Sequence, residues 1–192
     1  MILFETGRLV VRHWTERPAD LARIFDIYSR WEVSRWLGVR PRPMTDPDEA
    51  AERVRRWRAG DTTGGDRYGV WAVQVRATGQ LAGSVLVKRL PGRDDRPTAD
   101  VEVGWHLHPD SWGHGYATEA ARGAVGREFA AGGDRVHALV LPGNAASVAV
   151  TRRLGMTPLG RCADWYGGLE VDAFVLDRRP DRATPGAIPV VD

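Results

Sequence analysis

Two glycines flank a histidine in SWGHGYATEA, residues 111–120, and good helix formers follow at once. Glycines in succession let the backbone approach a ligand closely, so several N–H groups can point at one spot. The first turn of the helix that follows adds unpaired N–H groups and the positive end of the helix dipole. Such a stretch can be a helix start and nothing more, a nucleotide site, or a cradle for another phosphate. A dinucleotide fingerprint needs G-x-G-x-x-G; Gly113 and Gly115 fit, but the third position holds Thr118. A Walker loop needs Gly-Lys-Ser/Thr after four spacers, and none is present. What remains is a helix start with an open entry, or an anion cradle whose natural guest is a diphosphate.

The elements that must position this loop follow from periodicity and breakers. Residues 8–14 form a short β-branched run, a first strand. Leu21, Ile24, Phe25 and Tyr28 recur at helical spacing after Pro18. WEVSRWLG is irregular or a second short helix. A third helix starts near Thr45 or Asp46, with Pro47 in its first turn, and ends at Gly60. Two strands at 68–76 and 81–90 meet in a tight turn around Thr78 and Gly79. A polar loop, PGRDDRPTA, precedes a strand that ends at Pro109. A helix runs from Tyr116 to about Ala131, a strand follows at 135–143, and Asn144 and Gly155 bracket another helix. Two last strands turn around Gly167 and Gly168. Adjacent strands argue for antiparallel pairing, and the strand–helix–strand unit from 101 to 141 for one parallel pair. The expected class is α/β (α+β): a mixed, mostly antiparallel sheet with helices packed on it. One domain is expected over 1–178, with a flexible proline-rich tail at 179–192.

Composition excludes several functions. The chain has 192 residues and a net charge of +2, too balanced to argue for nucleic acid, though a mildly basic surface favours an anionic small ligand. Its one cysteine, Cys162, excludes a disulfide within the chain and a cysteine-based zinc site, and no metal is expected. No run of about 18 apolar residues exists, so no membrane span is expected. The N-terminus lacks a basic start and a long apolar core, so a signal peptide is not expected and the cytoplasm is the default location.

Residues 112–120 resemble the acetyl-CoA loop of the GNAT superfamily of N-acetyltransferases, whose pattern is Q/R-x-x-G-x-G/A. Trp112 takes the Q/R place, a departure from the pattern; Gly115 takes the central glycine and Ala117 the last small residue. FETGRLVVRHW and NAASVAVTRRLGM resemble segments of the branch related to ribosomal-protein-alanine N-acetyltransferases. The resemblance runs from Glu5 to about Asp177.

That resemblance implies a GNAT fold and acetyl-CoA as acyl donor, bound where two parallel strands, 101–107 and 135–141, splay apart. It places the diphosphate on the backbone of Gly113, His114, Gly115, Tyr116, Ala117 and Thr118, and the pantetheine arm along Leu107, His108 and Pro109. The Leu107 N–H would polarise the thioester carbonyl. Glu102 would be the general base for an amine acceptor, or else a solvent-facing strand residue. His106 and His108 share its parity and would relay protons or form wall. Thr151 stands where many members carry a tyrosine acid, so Ser147 would donate to the departing thiolate or support the helix cap. Asn144 would cap that helix, bond the pantetheine amide, or both. Trp31, Trp36, Trp165 and Tyr166 would wall the acceptor groove or belong to the core. Asp164, Glu170 and Asp172 would attract a cationic amine or be ordinary surface charge. The implied acceptor is a primary amine: a protein N-terminus, or a small molecule such as an amino acid derivative, polyamine or antibiotic. A non-catalytic acyl-CoA-binding module is the other class, and a homodimer is the default assembly.

Overall fold

Runs of β-branched and aromatic residues pair into one eight-stranded sheet in the computed structural model, which describes residues 1–59 and 62–179. The strands are β1 (Ile2–Glu5), β2 (Leu9–His13), β3 (Gly69–Val75), β4 (Leu81–Pro91), β5 (Pro97–Leu107), β6 (Arg135–Val140), β7 (Thr157–Cys162) and β8 (Val171–Asp177). Their order across the sheet is β1-β2-β3-β4-β5-β6-β8-β7. Every neighbouring pair is antiparallel except β5 with β6. The helices are α1 (Pro18–Ser29), α2 (Trp31–Ser34), α3 (Asp48–Ala59), α4 (Tyr116–Ala130) and α5 (Ala145–Leu154). None of the described helices is long and apolar enough to cross a membrane.

Strand parity divides the core into two layers. Val85, Val87, Val103 and Leu107 face α4 through Ala120, Ala121 and Ala124. Ala72 turns to the other face, where Ile24, Ile27 and Tyr28 of α1 meet Ala50 and Val54 of α3. Helices therefore cover both faces, as the mixed pattern implies. Gly83 shows how tightly β4 lies against β5: a Cβ there would stand 2.4 Å from the His106 carbonyl oxygen and 2.5 Å from the Leu107 Cα.

Two features differ from the sequence reading. Ile2–Glu5 is an extra edge strand, because Phe4 finds a gap at Gly123, where any Cβ would meet its ring at 2.4 Å. The polar stretch PGRDDRPTA is strand at its two ends, Pro91 in β4 and residues 97–99 in β5, with a turn only between them. There the Thr98 hydroxyl donates to the Leu90 carbonyl at 2.7 Å and the Gly92 N–H to the Arg96 carbonyl at 2.7 Å, so polar residues continue the hairpin. Gly60 and the tail from Pro180 onward lie outside the described residues.

Asp20 fastens α1 to β2. It takes both ends of the Arg12 guanidinium at 2.8 Å, the Thr15 N–H at 2.8 Å and the Thr15 hydroxyl at 2.9 Å, and is 3% exposed. Burial alone would raise its pKa, but hydrogen bonds from Arg12 and Thr15 outweigh burial and hold it below the usual carboxylate value. A depressed folded-state pKa stabilises the fold above the ordinary carboxylate pKa and is lost as pH falls below it. Asp20→Asn should lower stability by about 3 kcal/mol in urea unfolding, and should flatten the loss of stability on acidification below about pH 4. A variant as stable as the parent would remove this pair from the account.

Candidate functional site

β5 and β6 touch in register at a single point, Glu102 opposite His137. Beyond it β5 stays paired to β4 as far as Leu107, while β6 pairs from Ala138 to Val140 with β8. Each strand follows its outer neighbour, so the two part. The His108 N–H donates to the Ala82 carbonyl, and antiparallel alternation then turns the N–H of Leu107 away from β4, toward the opening. The opening belongs to one cavity of about 960 Å³ that runs from the glycine loop past Glu102 to α1 and α3.

At one end stands the loop. Gly113 and Gly115 have φ of 79° and 78°, left-handed backbone that favours glycine. Gly115 is the residue from which α4 departs, so the free N–H groups of Tyr116, Ala117 and Thr118 face the cavity. A Cβ on Gly113 would meet nothing within 4 Å, so this side of the loop is open. The Thr118 hydroxyl is buried with no hydrogen-bond partner and lines the same cavity. An orphaned hydroxyl beside free amides suits the phosphate oxygens of coenzyme A. Arg8 steadies the loop: it donates to the His114 carbonyl at 3.0 Å and to Glu119 at 2.7 Å, and lies 5.1 Å from the Tyr116 ring centre. The His114 ring stacks on Tyr116. Trp112, in the place of the usual glutamine or arginine, donates its indole N–H to the Leu107 carbonyl at 2.9 Å and so ties the loop to the end of β5.

Midway along the cavity is Glu102. It is 8% exposed, so it is not a solvent-facing residue. The Tyr166 hydroxyl donates to its Oε2 at 2.5 Å, and the Lys88 ammonium is 3.6 Å from the same oxygen. No hydrogen-bond donor among the described residues meets Oε1. Burial, then the Glu102 charge and hydrogen bond, push the Tyr166 pKa far up, so the phenol stays protonated and donates. Tyr166 adopts φ of 50°, an unusual value for an aromatic residue, and precedes two more left-handed residues, Gly167 and Gly168. That turn is locked on the β4–β5 hairpin by the Tyr166 N–H to the Pro91 carbonyl at 3.2 Å and by the Trp165 indole to Asp100 at 2.9 Å.

The other expected site residues divide. Asn144 caps α5 by accepting the Ser147 N–H at 3.1 Å, and both side chains line the cavity. Trp36 and Tyr166 line it too. Trp31 is exposed outside it, and Trp165 is buried in a small core with Leu90 and Ala173. Asp172 lies outside the lining, paired with Arg161 at 3.0 Å. His108 also lies outside, its ring between Asp26 at 3.0 Å and Asp110 at 2.9 Å, because the chain leaves the strand after Leu107. His106 lines the cavity against the Tyr28 hydroxyl; burial, and then the nearby Arg53 and Lys88, lower its pKa to about 3, so its ring is neutral and weakly basic. The residues that sequence reasoning passed over are Lys88, Tyr28, Arg53 and Arg8. Lys88 was legible from pairing, since it faces Glu102 across the β4–β5 ladder. Arg53 carried no signal among the many arginines of α3.

The chain matches the family model described as an acetyltransferase (GNAT) domain over residues 8–157. It is 28% identical to the uncharacterized N-acetyltransferase YoaA of Bacillus subtilis over 160 residues, 82% of this chain and 84% of that one. The acetyltransferase (GNAT family) from Bacillus anthracis has the same fold, with TM-score 0.72, 18% identity, and coverage of 92% of this chain and 98% of that one. So has RimL, a ribosomal L7/L12 alpha-N-protein acetyltransferase solved in complex with coenzyme A, with TM-score 0.69, 17% identity, and coverage of 92% and 98%. With a splayed strand pair, a glycine loop at a helix start and a family model that spans most of its length, this chain belongs to the GNAT acetyltransferases, acetyl-CoA-dependent N-acetyltransferases.

Proposed function

We propose that the chain transfers the acetyl group of acetyl-CoA to a primary amine, with Glu102 as the general base. The observation that carries this reading is a single cavity that joins the phosphate-type cradle to a carboxylate with one oxygen free. The RimL likeness makes a protein N-terminus the first acceptor to try; a small amine is the alternative, favoured by the enclosing Tyr28, Arg53 and Trp57.

Acetyl-CoA supplies a thioester carbonyl activated for attack. The amine enters as ammonium beside Glu102, whose Oε1 takes its proton directly or through one water. Tyr166 and Lys88 hold the other oxygen, Oε2, which leaves Oε1 for that proton. The amine nitrogen then bonds to the carbonyl carbon as the C–S bond breaks and gives up its second proton toward the departing thiolate, while the Leu107 N–H, turned into the opening, meets charge that gathers on the carbonyl oxygen. Ser147 lines the cavity at the start of α5, which supports its hydroxyl as the donor of a hydrogen bond or proton to the thiolate. Thr151, where a tyrosine acid would stand, is fully buried and its hydroxyl donates to the Val148 carbonyl, which supports Ser147 in that role.

Thiol release from acetyl-CoA over a panel of amines and short peptides tests the reading. Coenzyme A binding without turnover of any amine would contradict it. Glu102→Gln should lower kcat about 10²-fold or more while the affinity for acetyl-CoA is kept, and Ser147→Ala should cost on the order of 10²-fold. Gly115→Val should weaken coenzyme A binding at least ~10-fold in calorimetry, because a β-branched residue resists φ of 78° and projects toward Arg8, 3.5 Å from a Cβ. Equal affinity in that variant would move the phosphates off the loop.

A further inference from the structure

Arg53 is a charged group in the cavity wall with no anion of its own. Its guanidinium lies 4.1 Å over the Tyr28 ring and 5.9 Å from Trp57, and its Nε is buried with no hydrogen-bond partner. Two carboxylates of its own helix pair with other arginines, Glu49 with Arg42 and Glu52 with Arg56 at 3.9 Å, and the third, Asp48, makes no ion pair with Arg53. Among the described residues Arg53 makes no ion pair. The other wall carboxylate on that side, Glu32, approaches Arg30 at 3.8 Å. The guanidinium also hydrogen-bonds the Tyr28 side chain, which helps hold it in the cavity wall, and a guanidinium so held can bind a carboxylate or phosphate through paired bonds. Left unpaired at a partly buried wall, it is a costly group to keep.

The anion it awaits is not the donor's diphosphate. Val103 and Leu107 face α4, whose first turn makes the cradle, while Glu102 and His106 alternate to the face that α1 and α3 cover. Arg53 projects from α3, so it stands on the acceptor side of the sheet. Of the other cations in the wall, Lys88 is 3.6 Å from Glu102 and already has its counter-charge, and Arg35 lies over the Trp36 ring, away from Tyr28 and Trp57.

We infer that the acceptor is an amine that also carries an anion, a carboxylate or phosphate that Arg53 binds while the amine faces Glu102. This rests on the acetyl-transfer reading above. It narrows the acceptors to amino acids, amino-acid-like acids and their phosphorylated counterparts, or a peptide end with an acidic side chain, and disfavours polyamines.

The test compares ω-amino acids of two to six carbons with their carboxamides at saturating acetyl-CoA, with ω-aminoalkyl phosphates and Asp/Asn peptide pairs as further arms. The expected result is a kcat/KM for the anionic member about 10- to 100-fold above its neutral twin, the worth of a charge-assisted hydrogen bond. The arm with the largest ratio identifies the source of the anion. In Arg53→Gln the ratio should fall to about one through a rise in KM for the acids, and Arg53→Lys should restore part of it; coenzyme A affinity reports that both variants fold. A ratio near one in the parent, or one unaltered in Arg53→Gln, overturns the proposal and leaves acetyl transfer standing. If no amine turns over, calorimetry on the coenzyme A-saturated protein decides. Binding of the ω-amino acids that Arg53→Gln abolishes sustains the anion subsite although the enzymatic reading has failed, and no such binding overturns the subsite.

Discussion

The parting of β5 from β6 is the constraint on which the rest of the site depends. A parallel pair normally shares an unbroken ladder, and unpaired backbone N–H groups inside a sheet are costly. Here the ladder holds only at Glu102 and His137. Each strand is committed to an antiparallel partner on its far side, β4 for β5 and β8 for β6, so neither can swing back. The backbone groups left unpaired in the gap are free to bond an amide-bearing arm such as pantetheine.

Two anchors shape the cavity around this gap. The glycine loop is tied from both sides, by Arg8 to the His114 carbonyl and Glu119, and by Trp112 to the end of β5. The loop can thus present its amides without relying on the ligand for its shape. At the opposite side the turn at residues 163–170 carries Tyr166 over Glu102 with a left-handed backbone, and the Trp165 indole bolts the turn to Asp100. Strain in one aromatic residue is tolerated there because several hydrogen bonds oppose its release. The carboxylate is positioned by the last hairpin, although it sits in the middle of the sheet.

Much of this was legible in the sequence. The glycine loop, the helix behind it and the Asn144 cap follow from local rules, since each depends on residues within a few positions of one another, and the parallel unit follows from the order of strand, helix and strand along the chain. Strand β1 was missed because four residues at an edge make no periodic signal, and the β4–β5 hairpin was read too short because its far end is built from polar residues. The acceptor side was the least legible. Tyr166 and Trp165 both belonged to an aromatic pair in the last hairpin, yet one lines the cavity and the other is buried beneath it, and only the left-handed turn decides which. Asp172 faces Arg161 across β7 and β8, a register that local pattern does not fix. Arg53 acquires meaning only when α3 folds over Tyr28 and two carboxylates of that helix have paired with other arginines.

The central claim is that one cavity carries the acyl donor from the glycine loop through the strand gap to Glu102. A crystal structure of the protein with coenzyme A measures it most directly. The account predicts the diphosphate on the N–H groups of residues 113–118, the pantetheine between β5 and β6 with a bond to the Leu107 N–H, and the sulfur ending within one water of the Glu102 carboxylate. Coenzyme A bound outside the gap, or with its sulfur on the α4 face away from Glu102, would contradict it.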